Sequence, residues 1–508
     1  MTARAKPKLL ARKSIEALQV EAGAHGLKRG LSALNLVFLG IGCILGAGVY
    51  VMTGTAAANF AGPAVILSFV VAGLTCGLTA LCYAELASTM PVSGSAYTYC
   101  YAAIGEAAAW LLGWLILFEY GMAAALLAVG FSGYLVSLLA DFGIHIPAAW
   151  ATPAIQSVVT PDGFDFIYGG GVNVIAALAI AVVTILLTIG ITESALVNNI
   201  MVMVKVLVLC AFVIVGVRWI DPGNWTPFIP ENEGGFHYGL EGMFRAASLL
   251  FFAYIGFETV STAAAEARNP QRDVPIGILG SLVVCTVVYI AVAAVMTGVV
   301  PYHLLGVPDP VALAVDRMRM PEFAVLIKFG ALTGIASVLL VNAYGQSRVA
   351  FAMSRDRLLP PLFSHLHLRW RTPYLGTILF GLISAVMAAL LPISLVGDMI
   401  SLGIALAFSI VAICVMWLRN TRPDLHRPFK VPLGGVTIGK VWIGYIPVAA
   451  IVLCWVIMVP VVMDIVQQAM TGHVLPAVIL GSYAVIGVVV YLAYSRHHSV
   501  VGHKGDAL

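Results

Sequence analysis

Four glycines and three ionisable residues define the chemistry open to this chain. The glycines stand in Gly40-Ile-Gly-Cys-Ile-Leu-Gly-Ala-Gly48, inside a run that carries no charge from Leu31 until Glu85. Each glycine in a helix costs up to about 1 kcal/mol relative to alanine, so helix stability does not account for four of them. A dinucleotide-binding loop needs a preceding strand in a soluble βαβ unit, which this context does not offer. Two readings stay open at this point. Gly42 and Gly46 can form a small-residue packing face between membrane helices. Alternatively, a membrane helix breaks here and exposes free N–H and C=O groups near the midplane, where they can hold a small zwitterion.

Glu119 and Lys205 are the ionisable residues that stand deepest in apolar sequence. Glu119 has Leu115, Ile116, Met122 and Ala123 as helical neighbours, and Lys205 has Met201, Val202, Val208 and Leu209. A charge in a membrane span is costly and marks a functional site by default. The structural alternative is a buried ion pair, or a polar group capping broken-helix carbonyls without touching a ligand. Glu258, directly after Phe251-Phe-Ala-Tyr-Ile-Gly-Phe257, is read as a cap on exposed N–H groups in preference to a ligand contact.

The elements that position these groups follow from composition. The chain has 508 residues, 61% hydrophobic and only 10% charged, with a mean hydropathy of +0.98. Soluble domains carry about 25% charged residues, so this is an all-α polytopic membrane protein. A net charge of +3 spread over short loops gives no reason to expect nucleic acid. The eight cysteines show no metal or CxxC spacing, so neither a metal, another cofactor nor a disulfide is expected. No nucleophile–base set suggests an enzyme, and no filter or charged ring suggests a channel. Residues 1–30 are polar and basic, without the pattern of a cleavable signal.

Apolar intervals predict twelve transmembrane helices, near 32–58, 63–89, 106–139, 172–193, 195–217, 241–264, 275–300, 323–352, 374–391, 395–418, 442–465 and 474–494, called spans 1 to 12. With the N-terminus inside, 21 of the 27 basic residues fall on the cytoplasmic side and five on the other. That bias predicts both termini in the cytoplasm of a multi-pass cell-membrane protein. Residues 91–105 are tyrosine-rich and predict an interfacial helix. The remaining division is a basic arm at 1–31, a core at 32–418, two further helices with their cytoplasmic loop at 419–494, and a tail at 495–508.

Spans 1 and 6 are both interrupted, and breaks in the first helix of each five-helix half point to an inverted-repeat transporter, with halves near 32–217 and 241–418. Glu119 lies about 20 Å along span 3, and Lys205 about 15 Å along span 5. The two breaks sit at similar depths, so one central site is expected.

The segments Gly40–Gly54, Tyr83-Ala-Glu-Leu-Ala-Ser88, Gly94-Ser-Ala-Tyr-Thr-Tyr99 and Phe251–Glu258 resemble the amino acid–polyamine–organocation superfamily. Within it, Ala263-Ala-Ala-Glu-Ala-Arg-Asn-Pro-Gln-Arg-Asp-Val-Pro-Ile-Gly277 resembles the cationic amino acid transporters and their bacterial relatives. The resemblance implies a five-plus-five inverted repeat with broken helices 1 and 6, alternating access, and a small amino acid as substrate. It implies that N–H groups around Gly46, Ala47 and Gly48 meet the substrate carboxylate. Carbonyls of Ile44, Phe252 and Ile255 would meet the ammonium, with the Phe252 ring as a gate and Glu119 at the side-chain end. Lys205 matches the lysine that replaces a sodium ion in bacterial relatives, with Ser337 of span 8 as a partner, so protons are the expected coupling ion. An exchanger on the same fold and a receptor that binds without transporting are the alternatives.

Overall fold

The computed structural model describes residues 12–14, 30–92, 95–160, 163–190 and 195–500. Most of the basic arm, Gly94 and Glu193 lie outside the described residues. Helix occupies each of the twelve expected intervals. By length and composition, nine described helices can cross a membrane, and the apolar helices Ala33–Ile44, Val174–Ile189 and Tyr374–Leu390 are shorter. One of the nine, Gly48–Thr89, is divided at Gly62. There φ is 57° and Pro63 follows, which turns the chain from the second half of span 1 into span 2.

Burial separates central from peripheral helices. The span 6 window is 89% buried and the span 12 window 11%. Leu178, Val182 and Ile185 of span 4, Leu207 and Ile214 of span 5, and Leu382 and Val386 of span 9 are exposed. Apolar side chains directed away from the protein on so many helices form a surface suited to lipid. The two sheets are small antiparallel hairpins in loops: β1 (Ile155–Thr160) with β2 (Gly163–Tyr168), and β3 (Gly435–Ile438) with β4 (Val441–Gly444). Neither was legible as strand in the sequence, and neither changes the all-α class.

The expected helix before span 3 is present at Ser95–Ala103, and its tyrosines pack into the protein. Tyr97, Tyr99 and Tyr101 are buried. Their hydroxyls donate to Asp356 Oδ2 (2.8 Å), the Ser261 carbonyl (3.3 Å) and Glu106 Oε2 (3.3 Å). A tyrosine places an apolar ring and a donor in one side chain, so a tyrosine-rich helix can be buried wherever acceptors are available.

Candidate substrate site

The first half of span 1 is a helix, Ala33–Ile44, whose last residues are followed by extended backbone at Leu45 (ψ 92°). Beyond it Gly48–Met52 form a widened π-type turn. A helix end leaves carbonyls without intrahelical donors, and buried ones need other partners. Leu45 N–H takes the carbonyl of Ile41 (2.9 Å). The next three carbonyls meet span 5, span 6 and span 7. Lys205 Nζ donates to Gly42 O at 3.0 Å. Cys43 O abuts Gly256, where a Cβ would lie 2.8 Å from it. Tyr289 Oη lies 2.7 Å from Ile44 O.

Span 6 breaks in the same way. Helix Gly239–Leu250 tightens into a 3-10 turn at Phe251–Tyr254, then Ile255 (ψ 138°) and Gly256 (φ 120°) leave helical geometry. Ile255 N–H donates to Phe252 O at 3.0 Å. Gly256 N–H donates instead to Glu258 Oε2 at 2.9 Å, which is the capping role expected of Glu258. Ala253 O is thereby left for Tyr289 Oη, also at 2.7 Å. One hydroxyl carries one proton, so it satisfies either Ile44 O or Ala253 O at a given moment.

The two breaks touch. A Cβ at Gly48 would lie 2.4 Å from the Ala253 Cβ and 2.6 Å from its Cα, and one at Gly256 would lie 2.7 Å from Cys43 C. A Cβ at Gly46 would meet Val338 of span 8 at 3.1 Å. The helix is broken, and the glycines also serve close packing. Packing alone accounts for glycine at position 48.

Glu119 is buried on span 3 (4% exposed). The carbonyls on either side of it, of Leu117 and Gly121, accept from Gln346 Nε2 (3.0 Å) and Ser384 Oγ (3.2 Å), which ties span 3 to spans 8 and 9. The Glu119 and Glu258 carboxyls lie near enough to feel one another's charge. The Lys205 stem packs on span 8, where a Cβ at Gly334 would lie 3.4 Å from its Cγ. Ser337 is buried one turn further along that helix. The structure thus brings Ile44, Gly48, Lys205 and the Phe252–Glu258 turn together around the two breaks, and Glu119 lies buried on span 3. Phe252 and Ile255 are buried within the span 6 break.

Sequence reasoning missed a second charged centre. Arg245 of span 6, fully buried, donates from Nη1 to Asp398 Oδ1 (2.8 Å) and from Nη2 to Asp398 Oδ2 (2.6 Å) and Asp464 Oδ2 (3.0 Å). Its guanidinium lies 4.6 Å from the Phe60 ring centroid, and Gln468 Nε2 donates to Asp464 Oδ1 at 3.0 Å. Each of the three charges falls near an interval end, where a long side chain or a short loop can usually reach water. The available signal was one Arg and two Asp at the same end of the bundle. Glu85 is the counterpart at the other end, gripped by Arg419 and 3.7 Å from Arg427, with Val431 N–H donating at 2.7 Å.

A multi-span helical protein with two broken helices meeting at a buried lysine belongs to the class of broken-helix membrane transporters. Residues 31–490 match the family described as amino acid permease, and the chain belongs to that family. It is 39% identical over 496 residues to a methylthioribose transporter of Bacillus subtilis (strain 168), covering 97% of this chain and 99% of the relative. It is 41% identical over 498 residues to the branched-chain amino acid permease BcaP of the same organism, with the same coverage. It is 37% identical over 419 residues to the vacuolar cationic amino acid transporter 4 of Arabidopsis thaliana, covering 82% of this chain and 68% of the relative.

Proposed function

We propose that this chain imports L-amino acids across the cytoplasmic membrane by proton symport, with both termini in the cytoplasm. The observation that carries the reading is the Lys205 ammonium on the Gly42 carbonyl, at the end of the broken half of span 1. In this reading the N–H groups around Gly46, Ala47 and Gly48 meet the substrate carboxylate, and the Ile44, Phe252 and Ile255 carbonyls meet its ammonium. Glu119 stands at the side-chain end, and Ser337 is the second partner assigned to Lys205. Spans 1, 2, 6 and 7 rock against spans 3, 4, 8 and 9 within the halves 32–217 and 241–418. Cross-ties within the first group support its moving as one body: Tyr289 to the two breaks, Tyr254 Oη to Phe69 O (2.8 Å), and Ser68 Oγ to Met243 O (2.8 Å).

A second reading, uptake of a neutral thio-sugar, is favoured by the relative named as a methylthioribose transporter. Purified protein in liposomes, acid outside and sodium absent, separates the two. Alanine, leucine, arginine and methylthioribose are offered in turn. Concentrative, pH-driven uptake of an amino acid supports the proposal. Uptake that needs sodium, or a counter-substrate inside, rejects proton symport, and accumulation of methylthioribose alone rejects the substrate class.

A further inference from the structure

Between spans 10 and 11 the chain builds the hairpin β3–β4, paired Val436 to Ile443, Thr437 to Trp442 and Ile438 to Val441. Side chains alternate along a strand and paired residues share a face. Val436, Ile438, Val441 and Ile443 therefore form one wholly aliphatic face. The other face carries Trp442, whose ring lies 4.2 Å from the Arg419 guanidinium. Trp442 is also pinned through its backbone: its N–H donates to Asn420 Oδ1 (2.6 Å), and its carbonyl accepts from Asn420 Nδ2 (2.9 Å). The aliphatic face is thus held away from the protein. Val436, Ile438 and Val441 are 42%, 63% and 53% exposed. In the turn before β3, Leu433 adopts a left-handed φ of 61° and is 77% exposed. Soluble surfaces rarely display such a contiguous apolar patch.

What covers it follows from its position. Asn420 stands in the last turn of span 10, which ends at Thr421, and Tyr445 begins span 11, so the hairpin lies at the level where two helices leave the bilayer. Its apolar face continues into the exposed stripe Tyr445, Val448, Val452 and Trp455 of span 11, at helical spacing. Lys430 and Lys440 flank it, both exposed, and the nearby Asp424 is engaged by Arg422 at 3.6 Å. We infer that the β3–β4 hairpin is a lipid anchor: its aliphatic face rests in the interfacial layer of the bilayer, and Lys430 and Lys440 meet anionic headgroups. Basic residues at a membrane surface draw anionic lipid in this way. The inner face transmits the contact, because Arg419 holds Trp442 on one side and Glu85 of span 2 on the other. The inference is independent of the solute carried.

Seven of the eight cysteines are buried and Cys210 is exposed, so a Cys210→Ala background accepts a single label. Ile438→Cys, and separately Val441→Cys, carry a nitroxide in protein reconstituted into phosphatidylglycerol-containing vesicles, with Glu233→Cys in an outer loop as the water standard. Collisions with oxygen should be frequent and collisions with a water-soluble nickel chelate rare at 438 and 441, the reverse of 233. Nickel access at 438 and 441 equal to that at 233 overturns the inference and leaves the patch to a protein partner. In phosphatidylcholine alone, or with Lys430→Gln and Lys440→Gln together, nickel access should rise at least severalfold. No rise rejects the headgroup contact.

Discussion

Lys205 Nζ and the Gly42 carbonyl, 3.0 Å apart, join span 5 to the last turn of the broken half of span 1. A cation at a helix C-terminus is favourable because the unpaired carbonyls there carry partial negative charge. The same bond leaves the carbonyl without this donor whenever the lysine withdraws or is removed.

Lys205→Met keeps the volume and removes the donor. Leaving a buried carbonyl unsatisfied costs about 1–3 kcal/mol, so a lowered melting temperature in detergent is expected. Concentrative, pH-driven uptake should fail while equilibrium binding of substrate persists, since the lysine acts on span 1. Normal accumulation by Lys205→Met liposomes would leave Lys205 out of the coupling.

Gly48 offers a test that separates packing from recognition. Gly48→Ala places a Cβ 2.4 Å from that of Ala253, and overpacking of this kind costs about 1–3 kcal/mol. Adding Ala253→Gly removes the Cβ–Cβ clash and retains the Gly48 N–H, but it leaves the 2.6 Å approach to the Ala253 Cα. The double variant should recover part of the lost thermal stability, with substrate affinity rising in step. Recovery of stability without affinity would mean that the position contacts substrate through more than its backbone.

Tyr289→Phe tests the hydroxyl shared between Ile44 O and Ala253 O. The ring packing against Phe69 (centroids 5.2 Å apart) and Tyr254 (5.4 Å) is kept, so the protein should still fold. A hydrogen bond is worth about 0.5–1.5 kcal/mol net, which corresponds to roughly two- to tenfold weaker substrate binding if the bridge fixes the spacing of the two breaks. Unchanged affinity in a scintillation-proximity assay would assign Tyr289 to stability alone.

The breaks were legible because glycine is costly in a helix and Phe251–Glu258 repeats the interruption in the second half. Lys205 and Glu119 were legible because a charge amid apolar neighbours stands out. Tyr289 was not, since a tyrosine in an apolar run looks like core until its hydroxyl is seen between two carbonyls. Gly48 was half legible: sequence gives the need for a small residue, and only the fold shows that Ala253 imposes it. Asp398 and Asp464 escaped notice because a carboxylate near a span end ordinarily reaches water. Their burial depends on Arg245, 153 and 219 residues away in the chain.

Arg245 with Asp398 and Asp464 gives the last prediction. Removing one partner of a buried ionic cluster strands the others, at about 3–5 kcal/mol, whereas replacing the whole cluster with neutral groups is often near neutral. Arg245→Met should therefore lower the melting temperature strongly in detergent. Asp398→Asn with Asp464→Asn, added to Arg245→Met, should restore most of it. The cluster joins the first turns of span 6 to spans 10 and 11, so the triple variant lacks a tie that the proposed rocking would break or carry along. If the tie breaks during transport, the triple variant should expose a cysteine placed at Leu249 to external thiol reagent faster than the same cysteine in otherwise unchanged protein. Equal labelling rates would show that spans 6, 10 and 11 stay together on that side throughout the cycle.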